Sequence, residues 1–120
     1  MEICSLTDIG LDFLRAANNY IENKIPFSIY LYGKEKRAII ISYEDMIYII
    51  NENDENRNMI NYNTYNMNTK DFIMKGFKDI EKNYEMFENF LYQENKNALA
   101  YKNRCRNLKN EFNKLKNYLK

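Results

Sequence analysis

This 120-residue chain contains no histidine, a single proline, two cysteines and three glycines. Without imidazole, Ser-His-Asp and Cys-His nucleophile systems, the usual imidazole acid-base pair and nearly all catalytic zinc sites are excluded. Glycines at positions 10, 33 and 76 are too few and too scattered to form a phosphate-cradling loop of the P-loop or dinucleotide type. Cys4 and Cys105 supply neither a four-cysteine metal site nor a disulfide framework, and they read as reduced core thiols of a cytoplasmic protein. The longest apolar runs are four or five residues, and Met1-Glu2-Ile3-Cys4 lacks a basic start before an apolar stretch. Neither a membrane span nor a signal peptide is expected.

Carboxylates remain as catalytic material, in the pairs Glu44-Asp45 and Asp54-Glu55. Adjacent residues of an extended chain point to opposite sides and both pairs fall at expected turns, so they read as solvated surface rather than a cooperating acid and base. The stretch from Asn51 to Glu55 superficially suggests a calcium loop, but it lacks the glycine at the sixth position and has Tyr62 where a bidentate glutamate belongs. No metal, no cofactor and no enzymatic activity are expected.

Against these absences stands a stripe with alternating spacings of three and four. It runs through Ile73, Phe77, Ile80, Tyr84, Phe87 and Leu91, meets Glu94 as a misfit, and continues through Ala98, Tyr101, Cys105, Leu108, Phe112, Leu115 and Leu119. This is the coiled-coil repeat, which holds one seam of a helix against a partner surface, either a dimer interface or the core. One helix over 70–119 would be about 75 Å long at roughly 1.5 Å per residue. That exceeds what a small sheet covers, and the surplus suggests a second copy of the chain. The polar segment 93–97 offers a break into an antiparallel hairpin, whereas the equal phase of the stripe on both sides of it favours continuity.

Upstream, apolar residues at Leu6, Ile9, Phe13, Ala17, Tyr20 and Ile21 mark an amphipathic helix to Asn23, with Ser5 or Thr7 available as cap, stopped by Ile25-Pro26. Runs at 27–32, 38–43, 46–50 and 60–65 then read as four strands with turns at 33–36 and 44–45 and a polar loop at 51–58. The third run is apolar on both faces and suits an interior strand. The fourth alternates Ile60, Tyr62 and Thr64 with Asn61, Asn63 and Tyr65. The expected fold is one α+β domain: an N-terminal helix and four-stranded antiparallel meander over 1–69, then a long heptad-patterned helical segment over 70–120.

Charge is unevenly placed. Residues 1–95 hold 10 basic and 16 acidic side chains, net −6, while residues 96–120 hold 8 basic and one acidic, net +7. Lys102, Lys109 and Lys116 recur every seven residues beside the seam, with Arg104 and Arg106 nearby. This strip reads three ways: pairing with the acidic half, including Asp79, Glu81, Glu85 and Glu88; contact with an acidic protein surface; or contact with nucleic acid through phosphates. Eleven tyrosines, among them Tyr30, Tyr32, Tyr43, Tyr48, Tyr62 and Tyr65, read mainly as sheet packing, with Arg37 and Arg57 as further candidate contacts.

The functional expectation is a small non-enzymatic binding protein: a homodimeric, protein-directed inhibitor or adaptor. The abundance of Asn, Lys, Ile and Tyr, whose codons are rich in A and T, suggests a low-GC bacterium or its phage and a role in host-phage conflict. The alternatives are a nucleic-acid-binding or transcription-regulating dimer using the basic strip, and a protein that sequesters a nucleotide or other anionic small molecule.

Overall fold

The structure, a computed structural model, describes residues 8–32, 36–53, 60–89 and 98–120. The expected α+β order holds. Helix α1 (Ile9–Asn23) is followed by strands β1 (Phe27–Tyr32), β2 (Lys36–Tyr43), β3 (Met46–Asn53) and β4 (Ile60–Asn66), then helices α2 (Thr69–Lys82), α3 (Tyr84–Glu88) and α4 (Ala98–Tyr118). The strands form an antiparallel meander in the order β1-β2-β3-β4.

Helix α1 is capped by Asp8 rather than by Ser5 or Thr7, which lie outside the described residues. The Asp8 side chain accepts from the N–H of Leu11 at 3.3 Å, satisfying one of the donors that a helix start leaves without a partner. At the other end Lys24 is left-handed (φ 56°) and its N–H closes on the Tyr20 carbonyl, just ahead of Pro26. The face that α1 buries comprises Gly10, Leu11, Phe13, Leu14, Ala17 and Asn18. Leu11 and Leu14, absent from the expected stripe, are therefore core residues.

Two strand boundaries exceed the sequence reading by more than one residue. Strand β2 begins at Lys36, and β3 continues through Asn51, Glu52 and Asn53, whose composition reads as loop and as the start of an ion site. Composition is overridden by the ladder: Asn51 pairs with Ala38 on one side and Asn61 on the other, and an interior strand gains both sets of hydrogen bonds whatever its side chains.

The C-terminal segment is not one rod. Helix α2 ends at Asn83, whose side-chain amide bonds back to the Asp79 carbonyl at 3.1 Å and to its carboxylate at 3.2 Å, a local competitor for the helical ladder. After α3 the chain returns as α4, with the candidate break at 93–97 outside the described residues. The principal extents are 41, 35 and 24 Å, which leave no room for a 75 Å helix, so the continuous course favoured by phase is corrected. The phase is shared because both halves of the stripe bury into the same core. Ile73, Phe77, Ile80, Leu108 and Leu115 are buried with Leu14, Ala17, Phe27 and Ile29. Tyr84, Phe87 and Phe112 pack on this cluster from its margin. The Phe77 and Phe112 rings stack at 5.0 Å, and Tyr84 meets Phe112 edge-on at 5.0 Å. Tyr101 is half-buried, and Leu91 lies outside the described residues.

Candidate functional site

Helix α4 carries most of the candidate contacts, and its partners are largely within the chain. The guanidinium of Arg104, 8% exposed, forms a two-pronged ion pair with Asp8, Nε to Oδ2 at 2.8 Å and Nη2 to Oδ1 at 2.9 Å, while Nη1 donates to the Glu88 carbonyl. Burial acts against its charged form, but Asp8 and the nearby Cys105 together outweigh burial, so its pKa is raised. As a partner contact Arg104 is thus corrected: it lies on the buried strip of α4 that continues through Leu108 and Leu115, and it ties α4 to the cap of α1.

Further along, Lys114 reaches Glu22 at 3.1 Å and the Tyr118 hydroxyl donates to Glu22 at 2.9 Å. Lys116 stands 3.7 Å from Glu81. The acid-base pairing anticipated for this strip is therefore intramolecular, although α1 supplies more of the acids than the upstream helix does. The contacts advance in step along α1 and α4, which run side by side in the same direction. Asn18, 2% exposed, donates to the carbonyl of Glu111 at 3.1 Å and to its carboxylate at 2.6 Å, a polar link inside the interface. Lys102, Arg106 and Lys109 are exposed, at spacings of four and three, and make up one outward cationic stripe. Arg37 is exposed on β2, and Arg57 lies outside the described residues.

The Glu44-Asp45 pair forms the two-residue β2–β3 turn and is anchored to the start of α2. Thr69 donates to the Glu44 carbonyl from its N–H (2.7 Å) and its hydroxyl (3.0 Å), and Met67 N–H donates to the Asp45 carbonyl at 3.1 Å. The Thr69 proton being committed, the buried Ser42 hydroxyl is the donor in its 2.9 Å bond to Thr69 Oγ1. These residues build a corner. Asp54 and Glu55 lie outside the described residues, as does Cys4; Cys105 is a partly buried free thiol 3.8 Å from the Glu88 carbonyl. Among the described residues no group of three or more Cys, Asp or Glu could hold a metal ion, and no helix is long and apolar enough to cross a membrane.

The sheet presents the most distinctive surface. Phe27, Ile29 and Leu31 of β1 point to the helices, in register with Ser42, Ile40 and Ala38 of β2. Tyr30 (54% exposed), Ile39, Ile41, Tyr48 (38% exposed) and Ile50 occupy the opposite face, and none belongs to the helix-side core. Register carries this face onto β4: Thr64 is paired with Tyr48, and Tyr62 with Ile50. The alternation of β4 is thus inverted relative to β1. Its Asn61, Asn63 and Tyr65 positions belong to the helix side, where Asn63 and Tyr65 are exposed, and its Ile60, Tyr62 and Thr64 positions belong to the open side. The result is a centre of Ile39, Ile41, Tyr48 and Ile50 on the two interior strands, flanked by Ser28, Tyr30 and Thr64 on the outer strands, with Arg37 toward one end.

Comparison of the chain with protein-family models, with curated proteins and with solved structures finds no match.

Proposed function

We propose that this protein works by binding rather than by catalysis, as a homodimer joined through the open faces of its sheets, with an acidic protein surface as its target. The observation that carries the reading is the run of Ile39, Ile41, Tyr48 and Ile50 on the two interior strands, which sets apolar side chains on a face that no described helix covers. A strand alternates to match what lies on each side of it. An isoleucine-centred patch left to water is an aggregation hazard, and its anatomy is that of an interface, with an apolar middle and a polar edge. Because the patch is present in every molecule, the occupant always available at matching concentration is a second copy. Four strands of up to eight residues span about 19 by 26 Å at the usual strand spacing, a footprint on the scale of a standard interface once its relief is counted. Arg37 is paired in register with Glu52 at one end of this face, so the charged positions there are of opposite sign and two copies meet without a block of like charge.

Such a dimer displays the Lys102, Arg106 and Lys109 stripe twice, for an inhibitor or adaptor directed at an acidic protein. The same stripe also supports the nucleic-acid reading, but three cations per chain give it a weak electrostatic footprint. The non-catalytic part rests on the lack of histidine and on the structural use of Glu44-Asp45.

Light scattering on the purified protein at about 10 and 100 µM tests the assembly. A dimer that Tyr48→Lys and Ile39→Lys each convert to a folded monomer, judged by circular dichroism, is the expected result. A wild-type monomer at both concentrations overturns the dimer and leaves the open face to a different protein.

A further inference from the structure

We propose that the hollow between the end of α1, the β2–β3 turn and the start of α2 is a binding site for a small ring-bearing phosphate of mononucleotide size. It is independent of the sheet-face dimer. The hollow is lined by Tyr20, Ile21, Lys24, Tyr43, Glu44 and Lys70 and has a volume of about 390 Å³, within the range of small-molecule sites.

Backbone conformation singles it out. Lys24 and Glu44 are the two non-glycine residues with positive φ among those described, at 56° and 55°. Helix ends and two-residue hairpin turns that need this conformation ordinarily take Gly, Asn or Asp, because a longer side chain crowds the backbone. Here both positions hold long charged side chains, and both line one hollow. Residues that break a local rule against their own conformational preference gather where a side chain is needed for another purpose. The walls are held by the bonds that fix Glu44 to Thr69 and by the Lys24 N–H on the Tyr20 carbonyl, so the site is largely formed in advance.

The lining specifies the ligand. Neither the Lys24 nor the Lys70 ammonium has an ion-pair partner among the described residues, so two cations are available to an anion. The first two N–H groups of α2 are already committed, Thr69 to Glu44 and Lys70 to the Asn68 side chain at 2.8 Å. The lysines, rather than the helix end, therefore meet the charge. Tyr20, Tyr43 and Ile21 offer flat apolar surface to a ring. The Glu44 carboxylate disfavours a bare anion beside it and favours a ligand whose far end carries N–H or O–H donors, such as a ring amino group or a sugar hydroxyl. A mononucleotide meets all three demands; inorganic phosphate or an uncharged nucleoside meets only part of them.

Titration of the ¹⁵N-labelled protein with AMP, CMP, GMP and UMP, and with adenosine and inorganic phosphate as partial ligands, tests the site. The expected result is saturable shifts at residues 20–24, 43–44 and 70 with at least one mononucleotide, with Kd below about 1 mM, and binding at least about tenfold weaker for adenosine and for phosphate. Lys70→Ala and Lys24→Gly should each weaken binding by about fivefold or more. Lys24→Gly should also melt no lower than wild type, because glycine adopts the left-handed conformation freely. No saturable shift with any of the four mononucleotides at about 5 mM overturns the proposal, as does undiminished affinity in both variants or phosphate binding as tightly as the best mononucleotide.

Discussion

The ring of Phe13 on α1 lies directly on the backbone of Gly76 on α2: a Cβ at Gly76 would meet Cε2 of Phe13 at 2.6 Å and Cε1 at 2.9 Å, with Cζ closer still. Phe13 cannot yield easily, because it packs edge-on to Phe27 at 5.1 Å and stacks on Phe72 at 5.9 Å. Glycine at 76 therefore has a packing role within a helix. Gly76→Ala should lower stability by about 1–3 kcal/mol in urea unfolding, although alanine is the better helix former by about 1 kcal/mol. Phe13→Leu in the same chain should make the Gly76→Ala change less costly than it is alone.

Arg104→Met should destabilise the fold by about 3 kcal/mol, the low end for breaking a buried ion pair, because Arg104 and Asp8 keep 8% and 14% of their side-chain exposure. Combining it with Asp8→Asn should cost clearly less than the sum of the two single changes. If Arg104 served only a partner, the single change would leave the unfolding midpoint where it is.

Leu108 is fully buried in the core. Leu108→Ala should cost about 2–5 kcal/mol and leave the oligomeric state at a given concentration unaltered, whereas a seam between subunits would give a stable monomer instead. Light scattering beside urea unfolding separates the two.

Helix α1 carries two carboxylates that oppose each other in their response to pH. The Tyr118 hydroxyl and the Lys114 ammonium hold the Glu22 pKa below its ordinary value of 4.5, so its contribution is present above that value and is lost as pH falls through the lower folded one. Burial, with Asp8 nearby, raises Asp12 from its ordinary 3.8, so the ionised form opposes folding once pH rises past that value. Asp12→Asn should stabilise at pH 7 by less than about 1 kcal/mol and have no effect well below pH 3.8. Glu22→Gln should destabilise at pH 7 and converge with wild type in acid. Thermal melts at several pH values measure both.

The elements were legible where a single face is buried. Phe27, Ile29 and Leu31 announce β1, and the stripe from Ile73 to Leu119 announces helices that share a core. The course of that stripe was not legible, because a helix and its own return produce the same phase when both pack on one surface. Arg104 reads as exposed from its charge, and only the three-dimensional approach of Asp8, 96 residues away, shows otherwise. Asn18 had a signal, a polar residue between Leu14 and Ile21 on an apolar face. The left-handed Lys24 and Glu44 had none, since neither residue type marks that conformation.

The pairing of α1 with α4 bears on the order in which the chain can fold. Asp8 waits for Arg104, and Glu22 for Tyr118, each across 96 residues. During synthesis the strands can zip to their neighbours as they emerge, while Leu14 and Ala17 have no lid on one flank until α4 is made. Contacts of such high sequence separation close late and slow the approach to the native state. Until they close, the nascent chain carries an exposed apolar groove along its first helix, the kind of surface that chaperones hold.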